Sequence, residues 1–248
     1  MEQNEQKEQP VSRRKFLKNS GLVLGGLVVG GVAGSLLTRG QENPQQPGAT
    51  PAPTADFNQA LMYFTPEQFR VVEAACERIF PEDELGPGAR ALGAAYFIDH
   101  QLAGEWGFNA RDYMQGPFYP GEATQGYQGR LKRREIFNIG IQEMNNYSNE
   151  KFKKRFNELT PEQQDEVLKA FESGEVNLTT ISATAFFQML RSATLEGLYA
   201  DPLYGGNKNM DGWRLKRYPG NQMAYTQVIE QEEFVEMEPL SLRDHQTG

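Results

Sequence analysis

Residues 180–199 read TISATAFFQMLRSATLEGLY and form the most apolar stretch of the chain beyond its N-terminal region. Its large apolar residues recur every three or four positions, at Phe186, Phe187, Leu190, Leu195 and Leu198. This spacing places them on one side of an α-helix. The stretch therefore predicts a helix over residues 180–199 with a broad apolar face.

Two further helices have a recognisable start, because the tetrapeptide TPEQ occurs at residues 65–68 and again at 160–163. In each copy the threonine can cap the helix, the proline suits the first helical position, and the glutamine can complete a capping box. We expect helices over 65–80, ended by Pro81, and over 160–174, with Gly174 as the stop.

Helical spacing also predicts helices over 89–102 and 129–147, whereas few stretches alternate with period two. Residues 104–128 and 201–220 are rich in Gly, Pro and aromatic residues and are expected to be ordered loops. The predicted fold class is all-α, a compact helical domain with long ordered loops. The loop aromatics either form a local core or anchor a partner protein, and the sequence leaves both open.

Composition restricts the chemistry of the 248-residue chain. One Cys excludes a disulfide framework, a cysteine-based zinc site, an iron–sulfur cluster and c-type haem attachment. The net charge is −8; residues 1–40 hold six basic and three acidic side chains, which leaves 19 basic against 30 acidic, or −11, for the remainder. This acidic balance argues against nucleic-acid binding.

The N-terminal residues have the layout of an export signal: a polar start, a basic pair and an apolar run. The arginines Arg13 and Arg14, followed by Phe16 and Leu17, match the twin-arginine (Tat) form. The apolar run 22–37 has 16 residues, fewer than the ~20 that cross a bilayer comfortably. No A-x-A site follows, so an uncleaved membrane anchor stays an alternative to a cleaved leader.

These features divide the chain into four parts. Residues 1–39 are the signal or anchor, and 40–56 form a Pro/Gln-rich linker that we expect to be disordered. Residues 57–229 are the helical domain, and 230–248 form an acidic tail, expected to be exposed and mobile.

Candidate catalytic residues are few. His100 follows Asp99 directly, so the two side chains point to different faces of a helix, and a structural histidine is favoured over a general base. Cys76 lies on an apolar helix face and is expected to be inert. The acidic run 82–84 is expected to be a solvated loop rather than a Ca²⁺ site, and the basic run 132–134 a solvated helix face.

A string of motifs resembles the gluconate 2-dehydrogenase subunit 3 family, the small subunits of membrane-bound, flavin-dependent sugar and sugar-acid dehydrogenases. The resemblance spans roughly residues 64–225. It is most specific at Thr194–Gly197, Asp201–Asn207, Gly212-Trp213 and Tyr218–Gly220, and it extends to Ile79–Pro81, Pro87–Ala89, Phe97–Asp99 and Gly126–Gln128.

This resemblance implies a small subunit that holds no cofactor itself. FAD would belong to a large flavoprotein subunit of the glucose–methanol–choline type, and haem c to a multihaem cytochrome subunit. The small subunit would bind the flavoprotein and supply its Tat signal, so that the complex is extracytoplasmic and membrane-associated. The residues proposed for partner docking are Asp201, Tyr204, Gly205, Gly206, Asn207, Gly212, Trp213 and Tyr218.

Two other functions remain open. One is a self-sufficient exported enzyme that uses His100 with carboxylates. The other is a structural protein tethered to the membrane through an uncleaved segment 22–37.

Overall fold

Six α-helices form the framework of the body that the structure describes. The computed structural model describes residues 59–119, 121–122, 125 and 127–245, all within the unit 55–248. The helices are α1 (Pro66–Ile79), α2 (Ala94–Ala103), α3 (Arg133–Phe152), α4 (Pro161–Ser173), α5 (Ala183–Tyr199) and α6 (Asp211–Leu215). These residues contain no β-strand and only two isolated bridges, so the predicted all-α class is confirmed.

Both TPEQ tetrapeptides open helices in the predicted way. At α1, the Thr65 hydroxyl accepts from the Gln68 backbone N–H at 3.3 Å, while the Gln68 side chain accepts from the Thr65 N–H at 3.0 Å. Thr160 and Gln163 repeat both bonds at 3.4 and 3.2 Å at α4. Gly174 ends α4 in the left-handed conformation.

The structure corrects the predicted bounds of two helices. The helix expected over 89–102 begins at Ala94, because Gly93 has φ +74° and interrupts any helix that started earlier. The helix expected over 129–147 begins at Arg133 and runs on to Phe152, where Lys153 turns left-handed. The short helix α6 lies in the segment for which only turns were predicted.

Helix α5 lies at the centre of this body, since it contacts each of the other five α-helices of the described residues. A chain of edge-to-face aromatic rings runs through the core. The order is Trp106, Phe137, Phe186, Phe171 and Tyr147, with successive centroids 6.0, 5.8, 6.0 and 6.4 Å apart. Such rings combine apolar burial with a favourable quadrupole geometry. The apolar face predicted from residues 180–199 is therefore the centre of the core.

The aromatic residues of the loop between α2 and α3 divide into a packed group and an exposed group. Trp106 and Tyr127 pack against the core. Phe108, Tyr113, Phe118 and Tyr119 stay exposed.

Candidate functional site

The segment from Asp201 to Gly220 begins with a buried carboxylate that ties three parts of the chain together. Asp201 follows the end of α5, and its oxygens accept from Leu203 N at 2.9 Å, Asn221 Nδ2 at 2.6 Å, Ser241 Oγ at 2.8 Å and Leu242 N at 2.8 Å. Four donors offset the cost of burying the charge. Asp201 therefore organises the fold of its own chain.

Glycines let this segment lie directly on the last turn of α5. A Cβ on Gly206 would stand 2.1 Å from the Gly197 carbonyl oxygen, and one on Gly212 would stand 2.0 Å from that of Leu198. Gly205 has φ +100°, which favours glycine. Gly206 and Gly212 are thus required by the close approach of two backbones, and Gly205 by its left-handed conformation.

Two buried polar side chains cap the end of α5. The Asn207 amide donates to the Ala200 carbonyl at 2.8 Å and accepts from Gly212 N at 2.9 Å. The indole N–H of Trp213 donates to the Tyr199 carbonyl at 2.7 Å. The last carbonyls of a helix have no partner within it, so these bonds complete α5.

The eight predicted docking residues therefore divide by exposure. Asp201, Gly206, Asn207, Gly212 and Trp213 are buried within this chain, and Gly205 is half-buried. Tyr204 and Tyr218 are 47% and 48% exposed, so a partner can reach them. The Tyr218 and Trp213 rings also pack in a T-shaped arrangement, with centroids 5.4 Å apart.

The acidic tail, expected to be exposed along its length, returns to the body at its far end. Its glutamates are exposed, but Pro239 and Ser241 are buried. Leu240 bridges to Gly220, and His245 Nε2 donates to the Asn221 carbonyl at 2.6 Å. The sequence signal for this return is Ser241-x-x-Asp244, a capping pair in which the Asp244 carboxylate accepts from Ser241 N at 2.7 Å.

Asp99 and His100 lie on different faces of α2, as predicted, and both are engaged in structural bonds. The fully buried Asp99 carboxylate accepts from the backbone N–H groups of Met62, Tyr63 and Phe64 at 2.5, 3.1 and 2.6 Å. His100 Nε2 lies 2.9 Å from the Ala60 carbonyl, which can only accept, so this nitrogen carries the proton. Both side chains thus fasten residues 60–64 to α2.

Cys76 is a buried thiol that is hydrogen-bonded within the helical body. Its Sγ lies 3.3 Å from Thr194 Oγ1, and Thr194 donates its own proton to the Leu190 carbonyl at 2.8 Å. The thiol is therefore the donor in the Cys76–Thr194 contact. Burial raises the pKa of the Cys76 thiol to about 12, which suppresses the reactive thiolate.

The described residues contain no group of three or more His, Cys, Asp or Glu side chains that could hold a metal ion. The residues 82–84 are exposed, and the Asp83 carboxylate accepts from Leu85 N at 2.8 Å. Within the same described ranges, no helix is both long and apolar enough to cross a membrane.

The sequence model described as gluconate 2-dehydrogenase subunit 3 matches residues 66–220, more than half of the chain. The matched region begins at the first residue of α1 and includes all six helices and the braced segment 201–220. The chain belongs to the gluconate 2-dehydrogenase subunit 3 family. As its description says, members of this family are subunits of a gluconate 2-dehydrogenase, which implies partner chains. Neither the curated proteins nor the solved structures include a match.

The family match covers only residues of the helical body. The predicted signal residues Arg13, Arg14, Phe16 and Leu17, the apolar run 22–37 and the linker 40–56 lie outside the described residues.

Proposed function

We propose that this chain is the non-catalytic small subunit of a flavin-dependent gluconate or sugar dehydrogenase complex. It binds a large flavoprotein subunit of the glucose–methanol–choline type and provides the Tat signal that exports the pair. FAD belongs to the flavoprotein, and electrons leave through a multihaem cytochrome c subunit. The observation that carries the proposal is the family match over residues 66–220.

The hydrogen bonds of α2 also favour an accessory role over the rival enzyme. That rival needs His100 as a general base beside a carboxylate, within reach of a substrate. Asp99 already accepts three backbone N–H groups, and the proton on His100 Nε2 is bonded to Ala60. These contacts give both side chains a structural purpose.

Within the braced segment 201–220, the residues proposed to contact the flavoprotein are the exposed tyrosines Tyr204 and Tyr218. Tyr204 and Tyr218 are held on a rigid backbone, because Asp201, Asn207 and Trp213 fix the turns that carry them. A rigid aromatic side chain loses little entropy on binding, so it makes an effective anchor.

Export is tested by following the flavoprotein rather than this chain. Replacement of the arginine pair with Arg13→Lys and Arg14→Lys is expected to retain the flavoprotein in the cytoplasm, because the Tat machinery reads that pair. Lys18→Arg is the matched control and is expected to leave export unchanged. Immunoblots of cytoplasmic and extracytoplasmic fractions measure the outcome. Undiminished export of the flavoprotein by the double variant would reject the escort role.

The two alternatives make distinct predictions. A self-sufficient enzyme predicts turnover by the isolated chain and a large loss of activity in His100→Gln. Our proposal expects no turnover from the isolated chain and unchanged activity of the complex containing that variant. A membrane-tethered structural protein predicts that no stoichiometric partner accompanies the chain.

A further inference from the structure

The loop between α2 and α3 exposes four aromatic side chains within twelve residues. Phe108, Tyr113, Phe118 and Tyr119 are 45%, 81%, 40% and 72% exposed. Single exposed aromatics need no explanation, but contiguous ones mark interaction sites. Tyr113, Phe118 and Tyr119 line one groove of about 820 Å³. Three of the four rings therefore form one aromatic patch.

Basic side chains lie over Phe108, the exposed loop aromatic outside this groove, and the intervening Arg133 lines the groove itself. The Arg134 guanidinium lies 4.1 Å from the centroid of the Phe108 ring and 4.7 Å from that of Tyr63, and the Lys132 ammonium lies 5.7 Å from the Phe108 centroid. Arg133 is neutralised by Asp112 at 2.7 Å. Lys132 and Arg134 form no ion pair within the part of the chain that the structure describes. Neither charge is neutralised there, and Lys132 is exposed while Arg134 is half-buried.

The stability of the helix does not account for these cations. Lys132, Arg133 and Arg134 stand at the N-terminus of α3, where the helix dipole is positive and favours acidic residues. They are also concentrated at one point of a chain whose residues 41–248 carry a charge of −11. Charge complementarity with an acidic partner explains both the position and the concentration.

We propose that the large flavoprotein subunit docks on this aromatic–basic surface, which comprises Phe108, Tyr113, Phe118, Tyr119, Lys132 and Arg134. Its contacting surface is an apolar depression bordered by carboxylates. Aromatic side chains anchor the centre of such an interface, and the charges select the partner and its orientation. This inference rests on the proposed function, because it assigns the location at which the flavoprotein binds.

The aromatic–basic surface adjoins the segment predicted for docking. Asp112 and Arg133 line the aromatic groove and also line a neighbouring cavity of about 560 Å³ that includes His100. Gly205 lies against the His100 ring, and Tyr204 precedes it. One partner can therefore contact both regions.

The first test replaces the aromatic anchors in the full-length chain, co-produced with the flavin-containing chain that co-purifies with the wild type and is identified by mass spectrometry. Tyr113→Ser with Tyr119→Ser is expected to weaken binding at least about tenfold. Phe234→Ser is the control, because Phe234 is 82% exposed but lies in the tail. Both variants are expected to melt at the wild-type temperature.

The second test concerns charge. Lys132→Glu is expected to weaken binding by about tenfold at low salt and by less at high salt. It is not expected to lower the melting temperature, because glutamate suits a helix N-terminus. Lys154→Glu, an exposed site beyond the end of α3, is the matched control. A carbodiimide is expected to link the Lys132 amine to a carboxylate of the flavoprotein, and Lys132→Gln removes that link.

The outcomes separate the inference from the proposed function. If the wild type retains the flavoprotein and the variants bind it equally well, the docking surface is elsewhere. That result rejects the inference and leaves the proposed function standing. If the wild type retains no flavoprotein, the proposed function fails and the inference fails with it. Loss of binding in both surface variants, with both controls intact, supports the inference.

Discussion

Asp99 is the residue that fixes where the helical body begins. Its buried carboxylate accepts three consecutive backbone N–H groups, from Met62 to Phe64, just before the cap of α1. Hydrogen bonds to a charged acceptor are stronger than neutral ones, and an unsatisfied buried donor carries its full desolvation cost. Residues 62–64 are therefore held by one side chain of α2.

We expect Asp99→Asn to lower the free energy of unfolding by about 2–4 kcal/mol, because asparagine has one acceptor oxygen and turns an N–H₂ group towards backbone donors. For a body of this size that is a fall in melting temperature on the order of 10 °C. Thermal unfolding followed by circular dichroism measures the change. Glu84→Gln, in an exposed loop, is the control, and an equal effect from both would refute this role for Asp99.

The Cys76 thiol makes a pH-dependent contribution to stability. Its pKa is about 12 in the folded chain and 9.0 ordinarily, so the folded state holds the proton more tightly. The contribution is fully present below pH 9 and falls as pH rises from 9 to 12, by up to about 1.4 kcal/mol per pH unit. We expect the stability advantage of wild type over Cys76→Ala to shrink over that range in urea titrations. A constant difference would contradict the buried, protonated thiol.

At the scale of elements, the contact between α3 and α5 depends on the absence of a side chain. A Cβ on Gly140 would stand 2.2 Å from the ring of Phe186. In an exposed helix Gly→Ala is stabilising. Here we expect Gly140→Ala to destabilise by about 1–3 kcal/mol, because the ring must move within a packed core.

A double-mutant cycle measures this contact. Phe186→Leu removes the obstructing ring edge, so Gly140→Ala should cost less in that background than in the wild type. Additive effects of the two substitutions in chemical denaturation would show that Gly140 and Phe186 are not coupled.

The elements also show how far the sequence alone predicts this molecule. The TPEQ starts of α1 and α4 were predictable because their caps are formed by residues three positions apart. The late start of α2 was not predictable from the sequence. It depends on the left-handed backbone of Gly93, which lies beside the carbonyl of Gly205, a residue distant in the sequence. Asn207 and Trp213, which the sequence analysis proposed for partner docking, are likewise buried by contacts with the end of α5 that their local sequence does not reveal.

At the scale of the whole molecule, Asp201 joins the end of α5 to both halves of the C-terminal segment. Its carboxylate holds Asn221 on one side and Ser241 with Leu242 on the other. The exposed glutamates lie in the loop between these contacts, which Asp201 closes together with the Leu240–Gly220 bridge and the bond from His245 to Asn221. Asp201 is thus positioned to fasten the tail to the body.

We expect Asp201→Ala to increase cleavage within residues 230–238 by a glutamate-specific protease several-fold, while residues 66–199 stay resistant. Local opening, rather than global unfolding, sets such a rate. Mass spectrometry of the fragments over time measures it, and Asp83→Ala is the control in an exposed loop. An unchanged rate in Asp201→Ala would show that other contacts hold the tail.

The described residues form a braced helical body, and the function proposed for it depends on a partner chain. The most direct measurement is affinity purification of the tagged full-length chain from its native membrane fraction, with absorbance spectra and mass spectrometry of the eluate. We predict a co-eluting large chain with a flavin spectrum. A colourless chain, eluting alone at good yield, would contradict the proposal that it is the small subunit of a flavoprotein complex.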